Sequence, residues 1–368
     1  MSDKTERTLA WMSLLAFPGM GSAKVGREVE RFGDVLEAWK CLMRDFPQGT
    51  RAARELAVKQ LQRTGDLGGE VLTFEDVRYP EWLSHIHDPP PVLYARGIWP
   101  GPAKWNRALA VVGTRSCTTQ GASWARQAGL EWTEAGGILV SGLARGIDGC
   151  AHRGALDGVR GGSQVAVLPC SLEAIHPRMH EPLAQEILDA GGLLVTEQPP
   201  GVQVERWMFA SRNRILTGLS PRTLVVQSPA RGGSLISARC ALDQDREVYA
   251  LWREGMGPAW AGNRALVADA EAMHVVEIND LWQQIAKQAG SQQPRDTRAI
   301  RPGNRQETAA VPPGCEDVWR ALNANRATSW LELKRRVKGT ESDLNRELFT
   351  LEVLGWIRRL PGRAYLRG

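Results

Sequence analysis

Apolar residues run in short unbroken blocks through the middle of the chain. ALAVVG (108–113), GILVSG (137–142), QVAVLP (164–169), LLVTEQ (193–198), TLVVQS (223–228) and EVYAL (247–251) carry apolar side chains at successive positions, not at alternate ones. A strand that is apolar on both sides is covered on both sides, so these blocks predict a parallel sheet between layers of helix. Helical patterns lie between them, among them ASWARQAGLEWTEAG, PLAQEILDAGG and SLISARCALDQD. Strand–helix alternation of this kind predicts an α/β, doubly wound, mainly parallel sheet with right-handed crossovers. A last pair, NRALVADAEA and then VVEIN, closes it near residue 279. Ligands of such sheets sit at the carboxyl ends of the strands. That places the loops at 113–115, 141–145, 168–171 and 228–234 around one crevice.

The flanks read differently. Residues 7–75 have helical periodicity, with GREVERFGDVLEAWKCLM as a clear amphipathic run. Ahead of that run, FPGMG (Phe17 to Gly21) makes a tight Pro-Gly-x-Gly hairpin. It is either a helix-hairpin-helix element that offers backbone N–H groups to a phosphate or a plain turn between helices. Residues 287–314 are polar, rich in Gly and Pro and without period, which predicts a flexible linker. Beyond them EDVWRALNANR reads as a helix. Ser329-x-x-Glu332 and Thr340-x-x-Asp343 are capping boxes that open two more. WIRRLPGRAYLRG reads as a hairpin turning at Pro361–Gly362. Three helices and a hairpin make a winged helix, so the expected domains are 1–75, 76–286 and 315–368, with the linker at 287–314.

At 368 residues with 43% hydrophobic content, the chain has room for two or three domains with real cores. No run of 18 apolar residues exists, so no membrane-spanning helix is expected. The N-terminal MSDKTERTLAW lacks the apolar centre of a signal peptide. Six scattered cysteines without a CxxC pair read as reduced thiols in a cytoplasmic protein. His176 and His180 stand at HxxxH spacing, but no glutamate lies between them and Pro177 follows the first, so no metal is expected. The net charge of +5 is uneven: five Lys/Arg face two acids over 287–314, eleven face seven over 315–368, and the first 286 residues carry −2. Nucleic acid would therefore meet the large body of the protein in a local pocket and not in a general basic field.

Two constellations carry candidate chemistry. In AVVGTRSCTTQG a strand runs into Gly113, Thr114 and Arg115 before a helix. Arg115 stands where a dinucleotide fingerprint needs glycine, no acid ends the second strand, and no phosphate-binding GxxxxGK[ST] loop is present. A helix N-terminus with an arginine fork beside it suits a phosphodiester better than a cofactor. In RWMFASRNRILTGLS, Arg206, Arg212 and Arg214 surround Phe209, a ring on which a base can stack while arginines hold its phosphates. The plainer alternative buries Phe209 in the core and pairs the arginines with acids. Glu205 is the one acid between 202 and 220, which weighs against it.

The motifs VVGTR, SGLARGIDGCAHRGAL, FASRNRILTGLS, GGSLISARCAL and GNRALVADA, in this order over 108–272, resemble those of the DNA processing protein A family (DprA, also called Smf). The resemblance implies an extended Rossmann-like fold, flanked in longer members by the hairpin element and the winged helix. It implies binding of single-stranded DNA without catalysis or cofactor, delivery of that DNA to the recombinase RecA during natural transformation, and action as a homodimer. Carried over by position, Arg115, Arg206, Phe209 and Arg214 become DNA contacts. With the strand-end loops, the expected site is Gly113, Thr114, Arg115, Ser141, Gly142, Arg206, Phe209, Arg212, Asn213, Arg214, Gly233 and Ser234. The chain departs from the family at Ala210, where proline is usual, at Leu168-Pro169-Cys170-Ser171, where LGxG is usual, and at His176-Pro177, where YP is usual. Asp148 reads as a turn or helix-capping acid.

Two other functions compete. Rossmann-like phosphoribohydrolases use a PGGxGTxxE loop, but the corresponding PARGGSLISAR (229–239) has no glutamate for acid–base work. A transcription regulator would read DNA through the winged helix. Its recognition helix, ESDLNRELFTLEVL, carries Glu341, Asp343, Glu347 and Glu352 against Arg346 alone, which phosphates would repel.

Overall fold

The computed structural model describes residues 3–158, 163–291, 311–312, 314–323, 328–337, 339, 341–353, 356–360 and 364–367. The chain divides into two compact units, Met1–Asp280 and Leu281–Gly368. The first begins with four helices: α1 (Asp3–Ala16), α2 (Ser22–Phe32), α3 (Val35–Asp45) and α4 (Pro47–Asp66). FPGMG is the turn between α1 and α2, with Gly19 at φ +76°, a value that favours glycine. The helical pattern does not reach residue 75. Strand β1 (Glu70–Thr73) follows α4, then the short α5 (Glu81–Ser84) and β2 (Val92–Gly97).

The alternating region then runs β3 (Ala108–Gly113), α6 (Thr119–Glu134), β4 (Ile138–Ser141), α7 (Ile147–Asp157), β5 (Gln164–Val167), α8 (Glu181–Asp189), β6 (Leu193–Thr196), α9 (Arg206–Gly218), β7 (Arg222–Gln227), α10 (Ser234–Asp243), β8 (Glu247–Leu251), α11 (Ala261–Ala268), β9 (Met273–Val275) and α12 (Ile278–Ser291). Seven of the nine strands are parallel to their neighbours in the order β6-β5-β4-β3-β7-β8-β9, and β2 and then β1 add antiparallel to the β6 edge. The six apolar blocks are β3 to β8. The expected VVEIN strand is displaced: β9 is centred on His274, and Ile278 already starts α12. Strand order reverses at β3, which lies between β4 and β7, so the crevice opens at the ends of these three strands.

Both faces of the sheet are covered, as continuous apolar strands require. On one face Ala108, Ala110, Val112, Val140 and Val165 pack with Ile215 and Leu216 of α9 and with Ala238 and Ala241 of α10. On the other, Tyr94, Ala166 and Leu194 share a core with Leu9, Trp11 and Met12 of α1, Trp39 of α3 and Ala57 of α4. The N-terminal helices thus bury their apolar faces against the sheet and not only against one another.

In the second unit α13 (Glu316–Ala321), β10 (Thr328–Ser329), α14 (Trp330–Arg336), α15 (Glu341–Val353), β11 (Ile357–Leu360) and β12 (Ala364–Arg367) surround a small core of Val318, Leu322, Leu333, Leu348 and Ile357. β12 pairs antiparallel with β10 and β11. The first helix is shorter than its sequence pattern. The hairpin turn at Pro361–Gly362, the Thr340 cap and most of the 287–314 segment lie outside the described residues; 287–291 continue α12.

Candidate nucleic-acid interface

The turn after β3 is fastened from two sides. The Thr114 N–H donates to the Gln227 carbonyl at the end of β7 (2.7 Å), and the Thr114 carbonyl accepts from the Ile147 N–H at the start of α7 (3.2 Å). Thr118 caps α6 by accepting from the Gly121 N–H (3.1 Å), while its own N–H donates to Gln227 Oε1 (2.9 Å). There is no room for larger residues around these bonds. A Cβ at Gly113 would stand 2.4 Å from the Ile147 side chain, and one at Gly146 2.3 Å from the Thr114 carbonyl. The turn is therefore a rigid bracket, and what it presents to solvent is Arg115, which is exposed.

Arg115 meets Phe209 across the crevice. Its guanidinium carbon lies 5.0 Å from the centre of the Phe209 ring, a cation–π contact. The His176 ring meets the same phenyl edge-on at 5.2 Å. Phe209 is half-buried, and Arg206 is exposed one turn earlier at the start of α9. A half-buried aromatic ring with an exposed arginine over it, and a second exposed arginine one turn earlier on the same helix, is an arrangement on which a base can stack and to which a phosphate can bind.

The rest of the expected site divides into bracket and scaffold. The Ser141 hydroxyl is fully buried and donates to the Val111 carbonyl at 2.6 Å. Arg212 is buried and donates to the Gly142 carbonyl at 2.8 Å and to the Val167 carbonyl. A Cβ on Gly142 would lie 2.2 to 2.5 Å from that guanidinium, so the glycine is there for the arginine. Asn213 is also buried. Arg214 pairs with Asp88 (2.8 Å) and with Glu197 (2.5 Å), whose other oxygen accepts from the Ser211 hydroxyl. The sequence argument that acids are scarce near these arginines does not survive the fold: Asp88 and Glu197 come from distant loops. Arg212 and Arg214 are held as parts of the wall, although one nitrogen of each guanidinium, Arg212 Nε and Arg214 Nη1, is buried without a hydrogen-bond partner. Gly233 is exposed and Ser234, the first residue of α10, is buried.

A buried charge network lies under the crevice. Asp148 is buried in the first turn of α7 and accepts from the Ala144 N–H at 3.4 Å. Burial pushes its carboxyl above the usual range, while Arg212, the nearby backbone N–H groups and Arg115 pull it back. The loop between β4 and α7 has Leu143 at φ +54°, a strained conformation for a branched residue. The Leu143 carbonyl accepts from His180 Nδ1 at 2.8 Å. His176 and His180 thus have separate duties, and no group of three or more metal-binding side chains occurs among the described residues.

Three contributors escaped the sequence reading. His176 was legible only as a departure from the family pattern. Gln227 ends an apolar strand and gave no signal. Asn263, in GNRALVADA, donates to the carbonyls of Val225 and Leu251 and accepts from the Ser228 N–H, which stitches the ends of β7 and β8 together.

Comparisons with known proteins bear on the family and the fold. The profile of the family DNA recombination-mediator protein A matches residues 70–286. The chain is 36% identical over 295 residues to protein Smf of Escherichia coli (strain K12), covering 78% of this chain and 75% of that one. It is 34% identical over 218 residues to DNA processing protein DprA of Bacillus subtilis (strain 168), covering 59% and 72%. Among solved structures, DNA processing protein A of Streptococcus pneumoniae aligns over 77% of this chain and 98% of its own at 26% identity, with a TM-score of 0.59. DNA processing protein A of Helicobacter pylori, described for its single-stranded DNA binding mode, aligns over 59% and 96% at 26% identity, with a TM-score of 0.52. No helix among the described residues is long and apolar enough to cross a membrane.

Proposed function

This chain belongs to the DNA recombination-mediator protein A family, and on that footing we propose that its crevice binds single-stranded DNA without catalysing a reaction. The observation that carries this is the pairing of exposed Arg115 with the half-buried Phe209 ring at the carboxyl ends of a parallel sheet. An arginine on a rigid bracket suits a phosphodiester, and a ring with an accessible face suits an unpaired base. In the free protein Arg115 covers that ring. A base takes its place, and the guanidinium turns outward onto the phosphate.

The contact set this supports is Gly113, Thr114, Arg115, Arg206 and Phe209, with Gly233 and Ser234 at the neighbouring strand end and His176 supporting the ring. Ser141, Gly142, Arg212, Asn213 and Arg214 shape the wall. No carboxylate of the 229–239 loop is available for acid–base chemistry. Asp148 is buried and accepts from a backbone N–H, as a helix-capping acid does. Delivery of the strand to RecA in natural transformation, homodimerisation, a cytoplasmic site of action, a helix-hairpin-helix role for α1 and α2 and a winged-helix identity for the second unit belong to the same reading and rest on the family resemblance.

The test compares single-stranded and duplex DNA of one length, with nucleoside monophosphate hydrolysis assayed alongside. The wild-type chain prefers the single strand and releases no base. Phe209→Ala loses roughly 1–3 kcal/mol of single-strand affinity, the usual worth of a stacked base, and much of the preference. Equal affinity for the duplex, or release of free base, contradicts the proposal.

A further inference from the structure

We propose that Cys117 and Cys150 are a peroxide-sensitive thiol pair whose disulfide ties the Arg115 turn to α7 and loosens the grip on DNA. They are far apart in sequence and form no recognisable motif, yet the fold puts them side by side. Cys117 stands two residues past Arg115, ahead of α6, and Cys150 lies in the first turn of α7. The two segments touch backbone to backbone: the Ile147 N–H donates to the Thr114 carbonyl (3.2 Å), and a Cβ on Gly146 would lie 2.8 Å from the Arg115 carbonyl oxygen. The Cys150 N–H bonds back to that same Gly146 (3.0 Å). Farther along, Gly129 and Gly154 let α6 and α7 meet without side chains between them. Cys117 and Cys150 become neighbours across this contact, and burial first, then the neighbouring Cys117, raises the Cys150 thiol. Both residues are partly exposed, so a small oxidant reaches them.

Hydrogen peroxide is the oxidant. One sulfur, as thiolate, attacks a peroxide oxygen; the O–O bond breaks, water leaves and a sulfenic acid forms. The second sulfur attacks the first, the S–S bond forms, the S–O bond breaks and another water leaves. Two thiols give up two protons and two electrons, and one peroxide becomes two waters. The effect on DNA rests on the single-strand reading above. Stacking a base on Phe209 requires the Arg115 side chain to leave the ring, and the freedom to do so lies in residues 115–117, between the fastened Thr114 and Thr118. A bond through Cys117 removes that freedom.

The experiment treats the full chain, Cys117→Ser and Cys150→Ser with hydrogen peroxide. Cross-links are mapped by mass spectrometry of digests, and binding of a single-stranded oligonucleotide is measured before and after treatment and after dithiothreitol. The expected result is an intrachain Cys117–Cys150 link in the wild-type chain, with affinity falling several-fold and returning on reduction. Both serine variants keep their affinity through the treatment. Thiols that stay free, pair with other cysteines or stop at separate oxidised acids overturn the thiol pair. A mapped link with unchanged affinity overturns the switch. If the untreated protein binds no single strand, the DNA reading fails instead, while the mapped link still reports on the pair.

Discussion

Arg115 and Phe209 can be named from the sequence as candidates for a phosphate ligand and a stacking ring, but their contact cannot, because β3 and α9 are far apart along the chain and meet only in the fold. Arg212 and Arg214 show the reverse. Their neighbours in sequence made them look free, while their partners in space are the Gly142 and Val167 carbonyls for one and Asp88 and Glu197 for the other. His152 gives a prediction at this scale. It is fully buried with Nδ1 2.9 Å from Gln164 Oε1, and burial drives its pKa from 6.5 down to about 4 although that hydrogen bond opposes the shift. The unfolded chain takes up a proton near 6.5 and the fold resists until about 4. Stability from this group is therefore complete above pH 6.5 and is lost as the pH falls through that window. The loss reaches about 3 kcal/mol by the linkage of pKa to stability. Thermal melts at several pH values between 7 and 4 check this: His152→Gln has a flatter pH dependence than the wild-type chain. Identical slopes would show that His152 does not titrate differently on unfolding.

Elements with continuous apolar runs were legible, and those that depend on contacts elsewhere were not. β3 to β8 announce themselves because both their faces are buried. β1 and β2 are antiparallel additions at one edge, outside the strand–helix alternation that marks the others. α7 is the instructive case. Its sequence, IDGCAHRGALD, has two glycines that argue against a helix. Gly149 gives way to the His180 ring, and Gly154 lies against α6, where a Cβ would stand 1.9 Å from the Arg126 carbonyl oxygen. Alanine is the better helix former by roughly 0.5–1 kcal/mol, so propensity alone makes Gly154→Ala stabilising. The close approach makes it destabilising instead, by about 1–3 kcal/mol as in other overpacked sites. The sign of the change in urea midpoint decides, and a more stable Gly154→Ala would show that α6 and α7 have slack between them.

At the scale of the whole molecule, charge and chemistry are separated. Residues 287–368 hold the excess of basic side chains, while the first 286 carry −2 and contain the crevice. Removing residues 292–368, beyond α12, is expected to weaken single-strand binding only a few-fold and to leave the preference over duplex intact. A folded truncation that no longer binds would move the principal DNA site into the second unit. The central claim is narrower still: the Arg115 bracket grips a phosphate. The salt dependence of single-strand binding reads this directly, because each phosphate contact contributes about 0.7 to the slope of log affinity against log salt. Measured for the wild-type chain and Arg115→Ala on several unrelated oligonucleotides, with melts to show that both are folded, the variant binds every sequence more weakly and its slope is shallower by about 0.7. A folded Arg115→Ala with the wild-type affinity and the wild-type slope would contradict the account.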